Sequence, residues 1–382
     1  MMATFTAKVS DLKKAITVAA LATLDSTDSI KGHALIEITG AAASVYSSDE
    51  DRIAFTKFTV DAVDADMTFT VDPKNILSLL ATCDRDEIKF IFDNEGKTLS
   101  VYASEDTDAF VSFPSLDPAT FIPFKDVVSQ ATVVDTVNAA VLSHGLKFIQ
   151  GYICQDDKNK KYANLYIREG ILYASNGSTK IAAYKSDLLA KIFTMNVRRA
   201  MLSPVMHLID KMSFDNVSIL DSEKFFIVTS SDLSCGFGFR KPNVEVPKMP
   251  VSVEEPQTAG FVIERNVLLK KISRLATSMR GDDVVLGLTV EGDVITIETM
   301  TERKSVERMT CARIGGNEKI SLLTSCQHLK TVVNTFSAPD VTFYHIGNTC
   351  TIYSKAAILI GDTERLPFIS VARITLPRDT KV

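Results

Sequence analysis

Two periods of apolar residues alternate along this chain, and the alternation is written three times. A stretch with helical three-and-four spacing gives way to stretches of period two, the signature of a helix followed by half-buried strands. In the first copy, Asp72-Pro-Lys-Asn-Ile-Leu-Ser-Leu-Leu predicts the helix. Ile88-Lys-Phe-Ile-Phe, a polar turn at Asp93-Asn-Glu-Gly and Thr98-Leu-Ser-Val-Tyr predict the strand pair. The second copy runs from Ser203-Pro-Val-Met-His-Leu-Ile, with the helix expected to start at that Ser-Pro, to Val217-Ser-Ile-Leu and Phe225-Phe-Ile-Val. The third runs from Ser325-Cys-Gln-His-Leu to Val341-Thr-Phe-Tyr-His-Ile, a Gly347-Asn turn and Thr349-Cys-Thr-Ile-Tyr. The copies lie roughly 120–130 residues apart, a domain spacing and not a solenoid spacing.

A second helix-plus-hairpin unit precedes the first in each copy. Its helices are expected from Ser10, with Ser10 as cap and Leu12, Ile16 and Ala19 on one face, from Asp135, and from Arg265 to Arg280. The hairpins turn at Gly40, at Glu169-Gly170 and at Glu291-Gly292. Each domain therefore reads as a duplicated helix-plus-antiparallel-sheet unit, an α+β class in which two helices cover one face of the sheet. Two proline-rich crossings, Phe113 to Phe124 and Lys241 to Pro256, place the boundaries near 126 and 256. The expected domains are 1–126, 127–256 and 257–382.

The chain has 382 residues and a net charge of −5, which argues against a uniformly basic nucleic-acid coat but not against charge segregated between faces. None of the six cysteines forms a Cys-x-x-Cys pair, so reduced buried thiols are expected, with no metal site and no cofactor. The N-terminus lacks a secretory pattern, and a cytoplasmic protein without membrane association is expected. Catalytic motifs are absent: the five histidines fall in different elements, and Gly236-Phe-Gly-Phe sits in a strand-like run, not in a dinucleotide loop. An enzyme is not expected.

Three tandem duplicated domains in this length resemble the bacterial β sliding clamp, the processivity subunit of a replicative DNA polymerase. Leu116-Asp-Pro-Ala-Thr-Phe-Ile-Pro looks like the family's Leu-Pro-x-x-x-Phe-Pro, Val246-Pro-Lys-Met its crossing into the third domain, and Asn176-Gly-Ser-Thr-Lys-Ile-Ala its Thr-Asp-Gly-His-Arg-Leu-Ala. The departures suggest a phage, plasmid or otherwise remote member. The resemblance implies half of a closed ring, completed by a second copy head to tail, around sequence-independent double-stranded DNA, with a DNA polymerase and a clamp loader as partners. It implies a DNA-facing set of Lys13, Lys14, Lys74, Lys147, Arg198, Arg199, Arg265, Lys270, Lys271, Arg274, Arg280 and Lys330, where the third-domain helix sees only Glu264 as a nearby acid. It also implies a partner-peptide pocket at Thr179, Lys180, Ile181, Pro247, Val251, Val371, Arg373 and Ile374. The bare apolar edge Ala109-Phe-Val-Ser-Phe points to Phe110 at the dimer interface, with Ile272 and Leu275 opposite. The competing reading is a repeat-built β-rich structural or interaction protein, of a virion or carbohydrate-binding kind, with few helices and no basic face.

Overall fold

The computed structural model describes residues 2–375 except 26–28, 104–108, 122–123, 157, 190–193, 245–251, 278–283, 302–303, 317–318, 347–348 and 361–363. The first third of the chain forms β1 (Met2–Lys8), α1 (Val9–Ala19), β2 (Ala34–Thr39), β3 (Ala42–Ser48), β4 (Arg52–Thr59), β5 (Met67–Val71), α2 (Pro73–Ala81), β6 (Glu87–Asp93), β7 (Thr98–Tyr102) and β8 (Val111–Pro114). A short α3 (Lys125–Ser129) leads into β9 (Thr132–Asn138), α4 (Ala139–Ile149), β10 (Asn164–Arg168), β11 (Ile171–Ser175), β12 (Lys180–Lys185), β13 (Thr194–Arg198), α5 (Arg199–Met212), β14 (Asn216–Asp221), β15 (Phe225–Ser230) and β16 (Cys235–Arg240). The last third forms β17 (Gly260–Glu264), α6 (Arg265–Thr277), β18 (Val285–Glu291), β19 (Val294–Thr299), β20 (Val306–Thr310), β21 (Ala312–Ile314), β22 (Ile320–Ser325), α7 (Cys326–Thr335), β23 (Asp340–Ile346), β24 (Thr349–Ile360) and β25 (Glu364–Thr375).

One backbone device fixes where the helices begin. The N–H groups of Val9, Ala139, Arg199, Arg265 and Cys326 donate to the carbonyls of Asp86, Asp215, Ala163, Pro339 and Val284 at 2.7–3.0 Å. Each acceptor is the residue just before the neighbouring strand, so the first helical residue extends its ladder by one rung. A helix N-terminus leaves several N–H groups without intrahelical partners, and this bond satisfies one of them. The first residue of α2 is Pro73, which lacks that donor; Asp72 caps the helix by accepting from the Lys74 N–H at 2.8 Å.

This device corrects three expected starts. Ser10 is not a cap, because α1 begins at Val9 after an uncapped Lys8. Residues 135–138 are not helical but complete β9 against β14. Pro204 does not open α5 but lies inside it, since the ladder bond at Arg199 sets the start four residues earlier. Pro204 leaves the Ala200 carbonyl without its helical donor, and Ala200 is exposed to water.

The strands form four antiparallel sheets: β1-β6-β7-β8, β5-β2-β3-β4-β16-β15-β14-β9, β13-β10-β11-β12-β25-β24-β23-β17-β21 and β20-β19-β18-β22. The first core gathers β1, β6 and β7 from one sheet, β2, β3 and β5 from the next, and the apolar faces of α1 and α2. Phe5 stacks on Phe90 at 4.5 Å and reaches Phe69 at 6.0 Å, binding the two sheets through one aromatic column.

The two long sheets run across the expected domain boundaries. β4 pairs with β16, where Gly236 and Gly238 lie opposite Phe55 and Ile53. A Cβ on either glycine would come within 2.7 Å of those side chains. The Gly-Phe-Gly-Phe run is thus a seam that lets large residues of β4 lie over β16. β12 pairs with β25 in the same way. The chain divides by contacts into two compact units, residues 1–139 with 203–241 and residues 140–202 with 242–382, so each unit holds one long sheet and the second repeat contributes to both. Each crossing segment covers its sheet: Phe121 and Phe124 pack with Leu35, Phe55 and Phe225, and Val253 packs with Tyr166, Tyr344 and Val371.

Candidate nucleic-acid interface and partner surfaces

The side chains of α6 segregate sharply. Leu268, Ile272 and Leu275 are buried, while Lys270 and Arg274 are exposed on the other side. Helix α7 repeats the division, burying Leu329, Val332 and Val333. The two helices lie side by side, braced where the Arg265 guanidinium donates to the carbonyls of Val333 and Asn334, both at 3.3 Å. Between them runs an open groove of about 830 Å³. Lys270, Arg274 and Lys330 line it with the amides of Asn266, Gln327 and Asn334, and among the described residues no carboxylate does. Cations, neutral donors and no acids make a surface suited to a polyanion backbone.

The other predicted cations divide into groups. Lys13 and Lys14 are exposed on α1, and Lys147 is exposed on α4. Lys74, at the start of α2, pairs with Asp25 at 2.6 Å. Arg265 serves mainly as the brace just described. Lys271 points away from the groove, to Glu307 of β20 at 2.8 Å, and Arg274 also lies 3.6 Å from that carboxylate. Glu264 is therefore not the only acid near this helix, and Lys271 is corrected from a groove contact to a tie between α6 and β20. The Lys271 hydrogen bond and charge hold the Glu307 carboxyl below its ordinary range. Arg198 and Arg199 line a separate pocket beside Lys160 and Asn164. Arg280 lies outside the described residues.

The predicted peptide pocket comes together in part. β12 and β25 pair with Lys180 opposite Ile374, Ile181 opposite Arg373 and Ala183 opposite Val371. Ile181 and Val371 share an apolar cluster with Tyr353, Tyr344 and Val253. Strand alternation places Lys180 on the opposite face from Ile181, which separates these two members of the predicted set. Thr179 belongs to a turn that Asn176 organises: its Oδ1 accepts from the N–H groups of Ser178, Thr179 and Lys180 at 2.9–3.1 Å. Gly177 in this turn has φ +82°, and a Cβ there would sit 2.6 Å from the Tyr162 ring. Pro247 and Val251 lie outside the described residues, as does the side chain of Ile374.

On its own face, Lys180 is half-buried, and burial lowers its pKa. Its neighbour His328 on α7 has a buried Nε2 without a partner among the described residues, and burial, with the Lys180 charge adding, pushes the ring down to about 4. An unfolded chain binds this proton near the ordinary value of 6.5 while the folded chain does not. The contribution to stability is therefore fully present above pH 6.5 and declines as pH falls from 6.5 toward 4. Urea unfolding at pH 7 and pH 5 checks this: His328→Gln is expected to lose less stability over that step than the parent. An equal loss in both would remove His328 from the account.

Two outer strands are unpaired on one side among the described residues, each with an exposed apolar side chain at or beside its start. β8 is the outer strand of its four-stranded sheet, and beside it Phe110 is 54% exposed, touching Tyr102 at 5.4 Å. β20 is the outer strand of the other four-stranded sheet, with Val306 45% exposed. Ile272 and Leu275, expected at the interface, are 0% and 3% exposed. They fill the core under α6 and have no surface to offer a partner, a correction their helical spacing with Leu268 already foreshadows. Sequence reasoning missed Val306, whose alternating context of Val-Glu-Arg-Met-Thr is a short edge-strand signal.

No protein-family model matches the chain, and no curated protein matches it in sequence. Solved structures match it over nearly its whole length. The β sliding clamp of Caulobacter crescentus aligns with a TM-score of 0.80 at 15% identity, covering 99% of both chains. DNA polymerase III subunit β of Pseudomonas aeruginosa aligns with a TM-score of 0.79 at 14% identity, covering 98% of this chain and 100% of that one. The β subunit of Thermotoga maritima aligns with a TM-score of 0.79 at 12% identity, covering 98% and 99%. The fold is that of the bacterial β sliding clamp, at identities where likeness speaks for fold and not for the roles of residues. Among the described residues no helix is long and apolar enough to cross a membrane.

Proposed function

We propose that this chain, having the clamp fold, works as a DNA sliding clamp: two copies close head to tail around duplex DNA and tether a replicative polymerase, without catalysis of their own. The observation that carries this reading is the groove between α6 and α7, lined by cations and amides with no carboxylate among the described residues, on a chain of net charge −5. Sliding requires contacts that ignore sequence, and phosphate contacts do so. Retention then follows from closure and not from affinity. In this reading Lys270, Arg274 and Lys330, with Lys13, Lys14 and Lys147 on the other helices, face the DNA, and each bare edge finds its partner on the second copy. The cation-lined groove between two paired helices, without a carboxylate among the described residues, favours it over a β-rich structural protein with no basic face. Sizing with light scattering tests closure: a particle of about twice the chain mass is expected, and a monomer at micromolar concentration contradicts it.

The polymerase and loader would dock on Ile181, half-buried beside the Asn176 turn, while Val371, at 0% exposure, backs the patch from the core and is corrected from a partner contact to a core residue. Replacing Ile181 by Asp is expected to weaken binding of an apolar partner peptide at least about tenfold, the scale of one desolvated anchor, and to leave the dimer intact. Unchanged peptide affinity in fluorescence anisotropy would move the docking site elsewhere.

A further inference from the structure

A second pocket, of about 470 Å³, opens at the first turn of α5. Its walls are the start of β10, the end of β13 and the crossing residues Asn243 and Val244. The Asn196 amide holds that crossing by donating to the carbonyls of Pro242 and Val244 at 3.3–3.4 Å. Three cations, Lys160, Arg198 and Arg199, line the pocket, and among the described residues no carboxylate does. α5 has 14 residues, so its N–H groups and dipole present partial positive charge here.

The floor adds a demand of the opposite kind. Asn164 is 3% exposed and lines the pocket. Its Nδ2 donates to the Lys160 carbonyl, which fixes the orientation of the amide. Its Oδ1 is buried and has no partner among the described residues. A buried acceptor left unmade is costly, so a fitting ligand must supply a donor as well as negative charge. A DNA phosphodiester carries no proton to give. An acidic peptide segment carries both, a carboxylate and a main-chain N–H, and its apolar neighbours would meet Met201, Val244 and Ala163.

We infer that this pocket binds a short acidic peptide segment, with the Asp or Glu carboxylate at the α5 N-terminus and Arg198, and a main-chain N–H on Asn164 Oδ1. The assignment moves Arg198 from a DNA contact to a peptide contact and does not depend on ring closure.

Methionine methyl NMR on the full chain tests it, with the Met201 signal identified by Met201→Leu. Titration with the peptide acetyl-Ala-Asp-Leu-amide is expected to shift Met201 saturably, and the acetyl-Ala-Asn-Leu-amide control to bind at least about tenfold more weakly, the effect of roughly 1.4 kcal/mol. Arg198→Glu, a change at an exposed side chain, is expected to weaken the acidic peptide by a similar factor while the remaining methyl signals keep their positions. Three results would each overturn the assignment: a motionless Met201 at 20 mM peptide (about a hundredfold beyond a ~0.2 mM site), inorganic phosphate binding as tightly as the peptide, or a short DNA duplex displacing it.

Discussion

Reversing Lys270, Arg274 and Lys330 together to Glu is expected to weaken binding of a short duplex by at least about 100-fold at low salt, and to flatten its salt dependence. The three charges line one groove, and Lys270 and Lys330 make no ion pair among the described residues. Each phosphate contact removed lowers the slope of log affinity against log salt by about 0.9, so losing three lowers it by roughly 2 to 3. Lys271→Gln is the internal control. Its ammonium is committed to Glu307, so its loss is expected to leave duplex affinity within about threefold, as for an ion pair worth less than ~1 kcal/mol. Fluorescence anisotropy at several salt concentrations reads both effects, and circular dichroism verifies that the triple variant is folded. A triple variant that binds duplex like the parent would show that the groove faces something else.

Phe110→Asp is expected to dissociate the proposed dimer. Phe110 lies half-exposed beside the unpaired edge of β8, an apolar strand edge that invites pairing. Burying a phenylalanine contributes about 1.5–3 kcal/mol, and an aspartate in its place also loses solvation. The dimer should weaken at least about 30-fold, equivalent to ~2 kcal/mol. Val306→Asp on β20 should act the same way, because the proposed head-to-tail closure would use one edge of each kind at every seam. Leu275→Ala should behave differently: buried under α6, its truncation should cost about 2–4 kcal/mol of folding stability and leave the association of the folded chain unchanged. Sedimentation equilibrium and urea unfolding separate these outcomes. A Phe110→Asp variant with the parent's dimer affinity would place the seam elsewhere.

The helices were legible where one face had to be apolar. Leu12 with Ile16, and Leu268 with Ile272 and Leu275, are core as their spacing required. Hairpins were legible where a turn needed positive φ, as at Glu169 (+52°) and Gly170 (+76°). Helix starts were less so. A Ser-Pro pair looks like a first turn from local chemistry, but at Ser203 a long-range ladder bond from Arg199 to Ala163 had already set the start. Charges were least legible. The tie between Lys271 and Glu307 spans 36 residues and depends on α6 lying beside β20. The separation of Lys180 from Ile181 follows from strand alternation alone, and was available to a reading that treated that stretch as β12 and not as a motif. The Asn164 acceptor gave no signal in sequence, because only burial makes it unusual.

The most direct measurement compares retention on closed and cut DNA. The protein is loaded onto a nicked circular duplex, separated from free protein, and half of the sample is linearised with a restriction enzyme before a second separation. Encirclement predicts that the protein stays with the circle at elevated salt and runs off the linear form. Equal loss from both forms, or equal retention on both, would mean that the chain holds DNA by its surface or not at all, and that the ring is not how it works.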